Sequence, residues 1–442
     1  MNGSRVGFMG RQLATWRLGG WAEVNAKLRI RKVRFFYNCS VWINAIWAVP
    51  VVLLLRSVRP IVMIRFGSFD ATRIGHFVLD SVRHFVEYRR QPPNTIDLFW
   101  FGPTCNTQWK LMVRRSLPIV QATRWLDLWN RRLPGGEEHS LPCNNGGVAS
   151  IGKILETVGV GALTFLPSEN DEALAWLRGK GWSDGEPFVC LLVRDPAFLT
   201  LDALQNKLNG TNTHQKWSYH NYRDSNIEDY VPSMEWLANQ GVWVIRMGKI
   251  MERPIPSRHP RIIDYAFDNT KSDFLDVWLF ANCSGCISTA TGIDFVSCVY
   301  GVPNLFVNFA PLGGLWAFHE MVAVPKHLYW SETGARLTLD ETLHHNYGSS
   351  FRYAEAGIRF ADLDSDELMN AVQEFWKRVI GLWIESPEDQ LLQSRFWTAF
   401  QAWDGFDLNH DTIHPQARVG AGWLRKMGEG YIFGAVGFQS DR

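Results

Sequence analysis

Val242-Trp-Val-Ile-Arg-Met-Gly-Lys249 is the first of four short apolar runs that decide the fold class of this chain. The others are Ile262-Ile-Asp-Tyr265, Gly285-Cys-Ile-Ser-Thr-Ala-Thr-Gly292 and Val302-Pro-Asn-Leu-Phe-Val-Asn308. Each run ends in polar or small residues, which is typical of buried parallel strands with a loop at each carboxyl end. In open α/β sheets such loops line the ligand crevice. The sequence therefore predicts an α/β fold with a binding site at this edge.

Two cations end the first of these runs. Arg246 and Lys249 could neutralise a diphosphate, because charge-assisted contacts are strong where water is partly excluded. The alternative is that both are surface cations following a strand. We interpret the region as a nucleoside-diphosphate site.

The loop after the third run offers small and hydroxyl-bearing residues just before a predicted helix. Its hydroxyl and backbone N–H groups could hold a phosphate, or they could merely cap the helix. Asp294, in the first turn, could bind a ribose or sugar hydroxyl or only complement the helix dipole. The candidate phosphate ligands are Ser288, Thr289, Thr291 and Gly292.

A further strand, Phe188–Val193, opens the same domain, and Arg194 stands at its carboxyl end. Arg194 could contact the ligand or form an ion pair with Asp195 or Asp224. The polar loop at residues 206–229 is long enough to suggest a functional role. Its candidate sugar- or nucleotide-binding residues are Tyr219, Asn221 and Arg223, and a merely solvated loop is the alternative.

An earlier strand, Pro60–Arg65, leads into a loop with two glycines that ends at Gly75 and His76. A histidine can act as a general base near neutral pH, so His76 is the candidate catalytic residue. The alternative is a histidine that only caps the following helix.

The length of the chain favours two α/β domains rather than a single core. We expect a basic apolar segment at residues 1–59 and a first Rossmann-like acceptor domain at 60–180. A second Rossmann-like domain for the nucleotide sugar follows at 181–345, and a helical C-terminal region at 346–442. Hydrophobic residues make up 46% and charged residues 20%, as in folded globular proteins.

A net charge of +1 argues against a nucleic-acid partner, and seven scattered cysteines fit a reducing cytosol. Cys283 and Cys286 form a lone CxxC, for which buried thiols are the expected state.

The acidic pairs at 362–366 precede a helical pattern, so helix capping is favoured over a metal-binding DxD. We predict no metal and no resident cofactor. The motifs of P-loop, dinucleotide-binding, zincin and α/β-hydrolase proteins are absent.

Residues 1–36 carry eight cations and one acid, and an apolar stretch, Val41–Leu55, follows. Fifteen residues are too few for a spanning helix, which needs about 20. Basic residues interleaved with tryptophan favour a segment in the headgroup region of an anionic leaflet, on the cytoplasmic face. A helix packed on the protein body is the alternative.

Several of these segments resemble a little-studied family of bacterial glycosyltransferases that occurs with surface-polysaccharide and lipopolysaccharide genes. The matching segments are Tyr219–Ser225, Val244–Lys249, Ile263–Tyr265, Ser272–Asp276, Ile287–Gly292, Pro60–Arg65, Arg73–His76 and His414–Leu424. The resemblance covers roughly residues 50 to 425. It implies a GT-B-like fold, in which two Rossmann-like domains face a cleft and the second holds the nucleotide sugar.

The resemblance and the residues together predict a metal-independent glycosyltransferase. It would move a sugar from a nucleoside-diphosphate sugar to a bacterial glycan or lipid-linked acceptor. It would be cytoplasmic, with peripheral association with the inner face of the membrane. Two alternatives stay open: a non-catalytic, membrane-associated scaffold of a polysaccharide assembly complex, and an enzyme such as an epimerase that modifies nucleotide sugars.

Overall fold

The computed structural model describes residues 8–143, 151–158, 163–197 and 221–433. Tyr219 and most of the predicted polar loop lie outside these residues. The described part is α/β, and its largest element is a parallel sheet of seven strands. This agrees with the predicted fold class. The division into two domains stays a prediction.

The large sheet has the strand order β11-β8-β7-β6-β3-β4-β5, and all its neighbours pair in parallel. Its central strands are buried along their whole length because helices cover both faces. The strands are β3 (Phe188–Leu192), β4 (Trp243–Arg246), β5 (Ile262–Ile263), β6 (Gly285–Ser288), β7 (Asn304–Phe309), β8 (Met321–Pro325) and β11 (Ala417–Val419).

Two of these strands were not anticipated. β8 is a buried apolar run, but the pattern after Asn308 is irregular and gave no prediction there. β11 lies inside the region that we expected to be helical, and it pairs with β8 at the edge of the sheet. Its three residues are too few to show a strand period in the sequence.

A smaller parallel pair precedes this sheet, with β1 (Met63–Ser68) beside β2 (Thr95–Trp100). Single bridges from Phe66 to Ser140 and from Phe99 to Ile119 extend it. Residues 117–121 therefore contribute a single bridge rather than a strand. An antiparallel pair joins β9 (His327–Trp330) to β10 (Ile358–Ala361).

The helices that cover these sheets begin with a single 50-residue helix at the N-terminus. They are α1 (Phe8–Ser57), α2 (Ile74–Arg89), α3 (Thr107–Ser116), α4 (Thr123–Arg132), α5 (Ile151–Val158), α6 (Pro167–Gly179), α7 (Val231–Asn239), α8 (Asp273–Asn282), α9 (Phe295–Val299), α10 (Leu339–His344), α11 (Ser350–Glu355), α12 (Ser365–Val379), α13 (Pro387–Gln401), α14 (Phe406–Asn409) and α15 (Ala421–Phe433).

Local predictions for the acidic pairs and the CxxC are confirmed. The carboxylate of Asp364 accepts the N–H of Glu367, which is the capping box expected at the start of α12. Cys283 and Cys286 are free, buried thiols beside the central strands. Both features therefore have structural explanations.

Candidate functional site

The order of the large sheet reverses at β3, since the chain builds outward from β3 first to β4 and β5 and then to β6, β7 and β8. Ligands of open α/β sheets bind at such a switch point, outside the carboxyl ends of the strands. Here the backbone N–H of Arg194, after β3, donates to Thr289 Oγ1, after β6, at 2.9 Å. This bond joins the two candidate loops directly.

The loop after β6 is held in shape by a buried carboxylate. Asp294 accepts the hydroxyl of Ser288 at 2.6 Å and the N–H of Thr291 at 2.7 Å. Burial raises the pKa of Asp294 to about 7, although these hydrogen bonds favour its charged form. Asp294 is fully buried, so it shapes the loop from below.

The helix predicted after this loop is present but short. α9 has five residues, and its short length gives little dipole for a phosphate. Ser288 and Thr289 are buried and use their side-chain oxygens within the protein. The hydroxyl of Thr291, in contrast, is buried with no hydrogen-bond partner in the described structure.

Two arginines converge on this loop with unsatisfied donors. Arg194 Nε donates to Asp224 Oδ1 at 3.0 Å, whereas its Nη2 is buried without a partner among the described residues. Arg223 Nη2 donates to the carbonyl of Ala290, and its Nε is likewise buried and unsatisfied. Burial, and next the charge of Arg194, lower the pKa of the Arg223 guanidinium. The two cations therefore lie close enough to interact.

Arg246 lies nearby, at the end of β4. Its side chain is 1% exposed, and Nη1 contacts Asp264 Oδ1 at 3.2 Å while Nε has no partner in the described part of the chain. The guanidinium also lies 5.5 Å from the centre of the Phe267 ring. Arg246 is thus a buried, fixed cation with a donor still available.

Lys249 points to a different place. Its Nζ lies 3.3 Å from the Cys105 carbonyl and 3.3 Å from Asp273 Oδ1, and its side chain is 55% exposed. It therefore contacts the loop before α3 rather than the pair formed by Arg246 and Asp264. The structure does not bring the two predicted diphosphate cations onto shared partners.

A cleft of ≈ 300 Å³ opens beside these strand ends. Its polar lining includes both cations and carboxylates: Asp195, Asp224, Arg246, Glu252, Arg253 and Asp362. Asp195 is fixed in place, because it accepts the backbone N–H groups of Ala197 and Glu252. The cleft can therefore offer acceptors to hydroxyl groups as well as cations to an anion.

A buried lysine stabilises one wall of the cleft through two hydrogen bonds. Lys326 Nζ donates to Asp362 Oδ1 at 2.6 Å and to the Asp224 carbonyl at 2.7 Å. Burial lowers the pKa of Lys326 and raises that of Asp224. These groups fix the position of Asp224, which in turn orients Arg194.

The candidate base lies in the first turn of α2. His76 Nδ1 is 2.6 Å from Asp70 Oδ2, and both side chains are partly exposed. Burial alone would raise the pKa of Asp70, but hydrogen bonds from His76 and Thr72 lower it below its ordinary value. A tautomer with the proton on Nδ1 leaves Nε2 available to accept a proton from a substrate.

The two candidate glycines touch each other across the sheets. A Cβ atom on Gly75 would lie 3.0 Å from the Cα of Gly292, and one on Gly292 would lie 3.1 Å from the backbone N of Gly75. The start of α2 is therefore packed directly against the loop after β6. This contact brings the loop that carries His76 to the switch point.

The predicted loop at 219–223 is described only from residue 221 onward. Asn221 is exposed, and its carbonyl accepts the N–H of Asp224 at 3.1 Å. Arg223 alone of this loop is brought to the site by a described contact. Tyr219 lies outside the described residues.

Sequence reasoning named Asp224 as a possible ion-pair partner of Arg194, which the structure confirms, but it missed four other polar partners: Asp70, Asp264, Lys326 and Asp362. Asp264 follows the predicted strand β5, so the rule that selected Arg194 and Arg246 already applied to it. Lys326 follows β8, which was not predicted. Asp70 stands six residues before His76 in the same loop. Within the described residues, no group of three or more His, Cys, Asp or Glu side chains could hold a metal ion.

Comparison of the sequence with known proteins finds no match. No family model matches the chain, and no curated protein is similar to it. Solved structures that resemble it include Escherichia coli ADP-heptose LPS heptosyltransferase II, with a TM-score of 0.36 and 9% identity over 56% of this chain and 86% of that one. A glycosyl transferase family 9 protein from Veillonella parvula also has a TM-score of 0.36 and 9% identity, over 60% and 86%. Likeness at a TM-score of 0.36 and 9% identity carries no argument about the function of this chain.

Proposed function

We propose that this chain is a GT-B-type glycosyltransferase that uses a nucleoside-diphosphate sugar without a metal ion. The observation that supports this proposal is a set of donors at the switch point that have no partner among the described residues: Arg194 Nη2, Arg223 Nε and the Thr291 hydroxyl. A buried donor without a partner costs roughly 1–3 kcal/mol, and more when it is charged. A diphosphate bound there would satisfy these groups.

The reaction places negative charge where these donors lie. As the bond between the anomeric carbon and the phosphate oxygen breaks, the departing diphosphate gains charge. Fixed guanidinium groups stabilise that charge without reorganising, because hydrogen bonds already hold Arg194 and Arg223. Arg246 would add a third cation from β4.

The acceptor hydroxyl forms the new bond to the anomeric carbon, and its proton must go to a base. We assign this role to His76 Nε2, with Asp70 holding the Nδ1–H tautomer and stabilising the imidazolium that forms. The carboxylates of the cleft, Asp195 and Glu252 among them, suit the hydroxyl groups of a ribose or sugar. The acceptor would be a glycan or a lipid-linked sugar.

A thermal-shift screen of the purified protein against UDP, GDP, CMP and dTDP, first with EDTA and then with magnesium, tests this function. A ligand that binds only the folded protein raises Tm, by an amount set by its concentration relative to Kd. We expect one nucleotide to raise Tm in EDTA, and we expect Arg223→Gln to abolish the shift.

The matched control is Arg178→Gln, an exposed arginine of α6 that is paired with Asp184 and does not line the cleft. No shift with any nucleotide, in a folded and monodisperse sample, would favour the scaffold alternative. A shift that needs magnesium would refute the metal-independent part of the proposal.

A further inference from the structure

One side of α1 is fixed to the protein body. Val41, Ala48 and Val52 are buried against a small core cluster that includes Ile64 and Trp129. Arg56, near the end of the helix, donates hydrogen bonds to Asn130, Leu133 and Pro134. The helix from residue 41 to residue 56 is therefore held along the surface.

The opposite side of the same segment is apolar and exposed. Trp42 is 68% exposed, Ile43 65%, Ile46 79% and Leu54 62%. Leu53 and Trp47 lie on the same side and are also exposed. A contiguous apolar surface of this kind indicates an interaction site, because soluble proteins seldom leave large aliphatic and indole groups together in water.

The positive charge beside the exposed side of α1 indicates what binds there. The sequence has no aspartate or glutamate between Glu23 and Asp70, and residues 31–38 are all exposed. The cations Arg29, Arg31, Lys32 and Arg34 precede the apolar side. Basic residues beside exposed tryptophan and leucine complement the headgroups and acyl chains of an anionic leaflet.

By its length alone, α1 could instead cross the membrane. Arg31–Ser57 has 27 residues and contains an 18-residue window with a mean hydropathy of 1.8, so this described helix is long and apolar enough to cross a membrane. Our estimate from Val41–Leu55 was too short because the helix also includes Phe35, Phe36 and Tyr37. Crossing would, however, break the Arg56 hydrogen bonds and expose the face buried against α4.

We propose that the exposed side of α1 is an in-plane docking surface for an anionic phospholipid leaflet. The helix lies parallel to the membrane, with its buried side on the protein and its exposed side in the headgroup region. Trp42, Ile46 and Leu54 enter the acyl boundary, while Arg31, Lys32 and Arg34 contact the headgroups.

The orientation of α1 links this surface to the candidate site. The Arg124 guanidinium lies 5.8 Å from the Tyr37 ring and 5.7 Å from the Trp100 ring, and Trp100 ends β2. The part of α1 at Tyr37, which directly follows the basic residues, thus lies near the carboxyl edge of β1 and β2, where the loop that leads to His76 begins. If the proposed transferase function holds, this placement presents a lipid-linked acceptor to His76.

Sedimentation of the full-length protein with phospholipid vesicles tests the docking surface. We expect binding to vesicles of phosphatidylglycerol and phosphatidylethanolamine, weaker binding at high salt, and little binding to phosphatidylcholine. Ile46→Glu should weaken binding more than about tenfold. Replacing Arg31, Lys32 and Arg34 with Gln should weaken it on the order of a hundredfold, at about 1 kcal/mol per cation.

Ile384→Glu is the matched control, because Ile384 is 89% exposed on a distant loop. Equal loss in both isoleucine variants, or no binding by the wild type, would overturn the proposal. So would resistance of the bound protein to alkaline extraction, which indicates a spanning helix. Light scattering that shows a dimer, converted to a monomer by Ile46→Glu, would instead assign the surface to a second copy.

The nucleotide thermal shift is measured without lipid, so failure of docking and failure of the transferase function are distinguishable.

Discussion

For Arg223, the sequence indicated a candidate ligand-binding residue, but it did not indicate which group holds the side chain in place. The polar loop and the strand ends predicted that Arg194, Arg223 and Arg246 face a ligand. The ion pair of Arg194 with Asp224 was one of two alternatives stated from the sequence, and the structure selects it over the pair with Asp195. The sequence could not show that Arg223 reaches the Ala290 carbonyl, 67 positions away. Those partners depend on the order of strands in the sheet, which no local pattern encodes.

At the residue scale, His76→Ala should reduce kcat by about 10²- to 10⁴-fold, the usual contribution of a general base. Asp70→Asn should reduce kcat less, because the imidazole keeps its position but loses the carboxylate that holds the Nδ1–H tautomer. Both rates are measured with the donor that the thermal-shift screen identifies. Unchanged kcat in His76→Ala, with the melting temperature preserved, would exclude His76 as the base.

Asp294→Asn gives a second residue-scale prediction. The pKa of Asp294 is raised by burial to about 7, so between about pH 4 and pH 7 the unfolded chain releases this proton while the folded protein retains it. The stability of the wild type therefore falls as pH rises through this window, by up to about 1.4 kcal/mol per pH unit. The variant lacks this titration.

Denaturant melts of both proteins from pH 4 to pH 8 check this. The wild type should gain stability relative to Asp294→Asn as the pH is lowered from 7 to 4. Parallel stability curves would show that Asp294 stays ionised in the folded protein.

At the scale of elements, local patterns predicted the central strands well and the edges poorly. β3, β4, β6 and β7 are long enough to show a buried apolar run closed by polar residues. β11 consists of three residues and α9 of five, so both are too short for their periodicity to be visible in the sequence. The close contact of α2 with the loop after β6 likewise has no local sequence signal.

Glycine substitutions test that contact. In Gly75→Ala the new Cβ would lie 3.0 Å from both the Cα and the carbonyl oxygen of Gly292, which are backbone atoms that move little. We expect the free energy of unfolding to fall by about 1–3 kcal/mol and nucleotide binding to weaken. Chemical denaturation and calorimetry measure the two effects.

Gly102→Ala is the control, since a Cβ there would meet no atom within 4 Å. Equal behaviour of the two alanine variants would show that the loop tolerates displacement and that the contact does not shape the site.

At the scale of the whole molecule, the large sheet and the small pair share one continuous hydrophobic core. Phe77 and Phe99 of the first part belong to the same buried cluster as Leu191 and Phe306 of the second. The first part has one named pair of parallel strands in the described structure, fewer than the Rossmann-like domain we expected. The length of the chain predicted two units, but it could not predict how unequal their sheets are.

The central claim is that the switch point binds a diphosphate through Arg194 and Arg223, and titration calorimetry with inorganic pyrophosphate in EDTA tests it most directly. Binding of pyrophosphate can be measured without knowing which nucleobase or sugar the donor carries. We expect pyrophosphate to bind the wild type and Arg178→Gln with equal affinity, and to bind Arg223→Gln about 10- to 100-fold more weakly, the value of one or two charged hydrogen bonds. Absence of binding by the wild type, or equal affinity in Arg223→Gln, would contradict it.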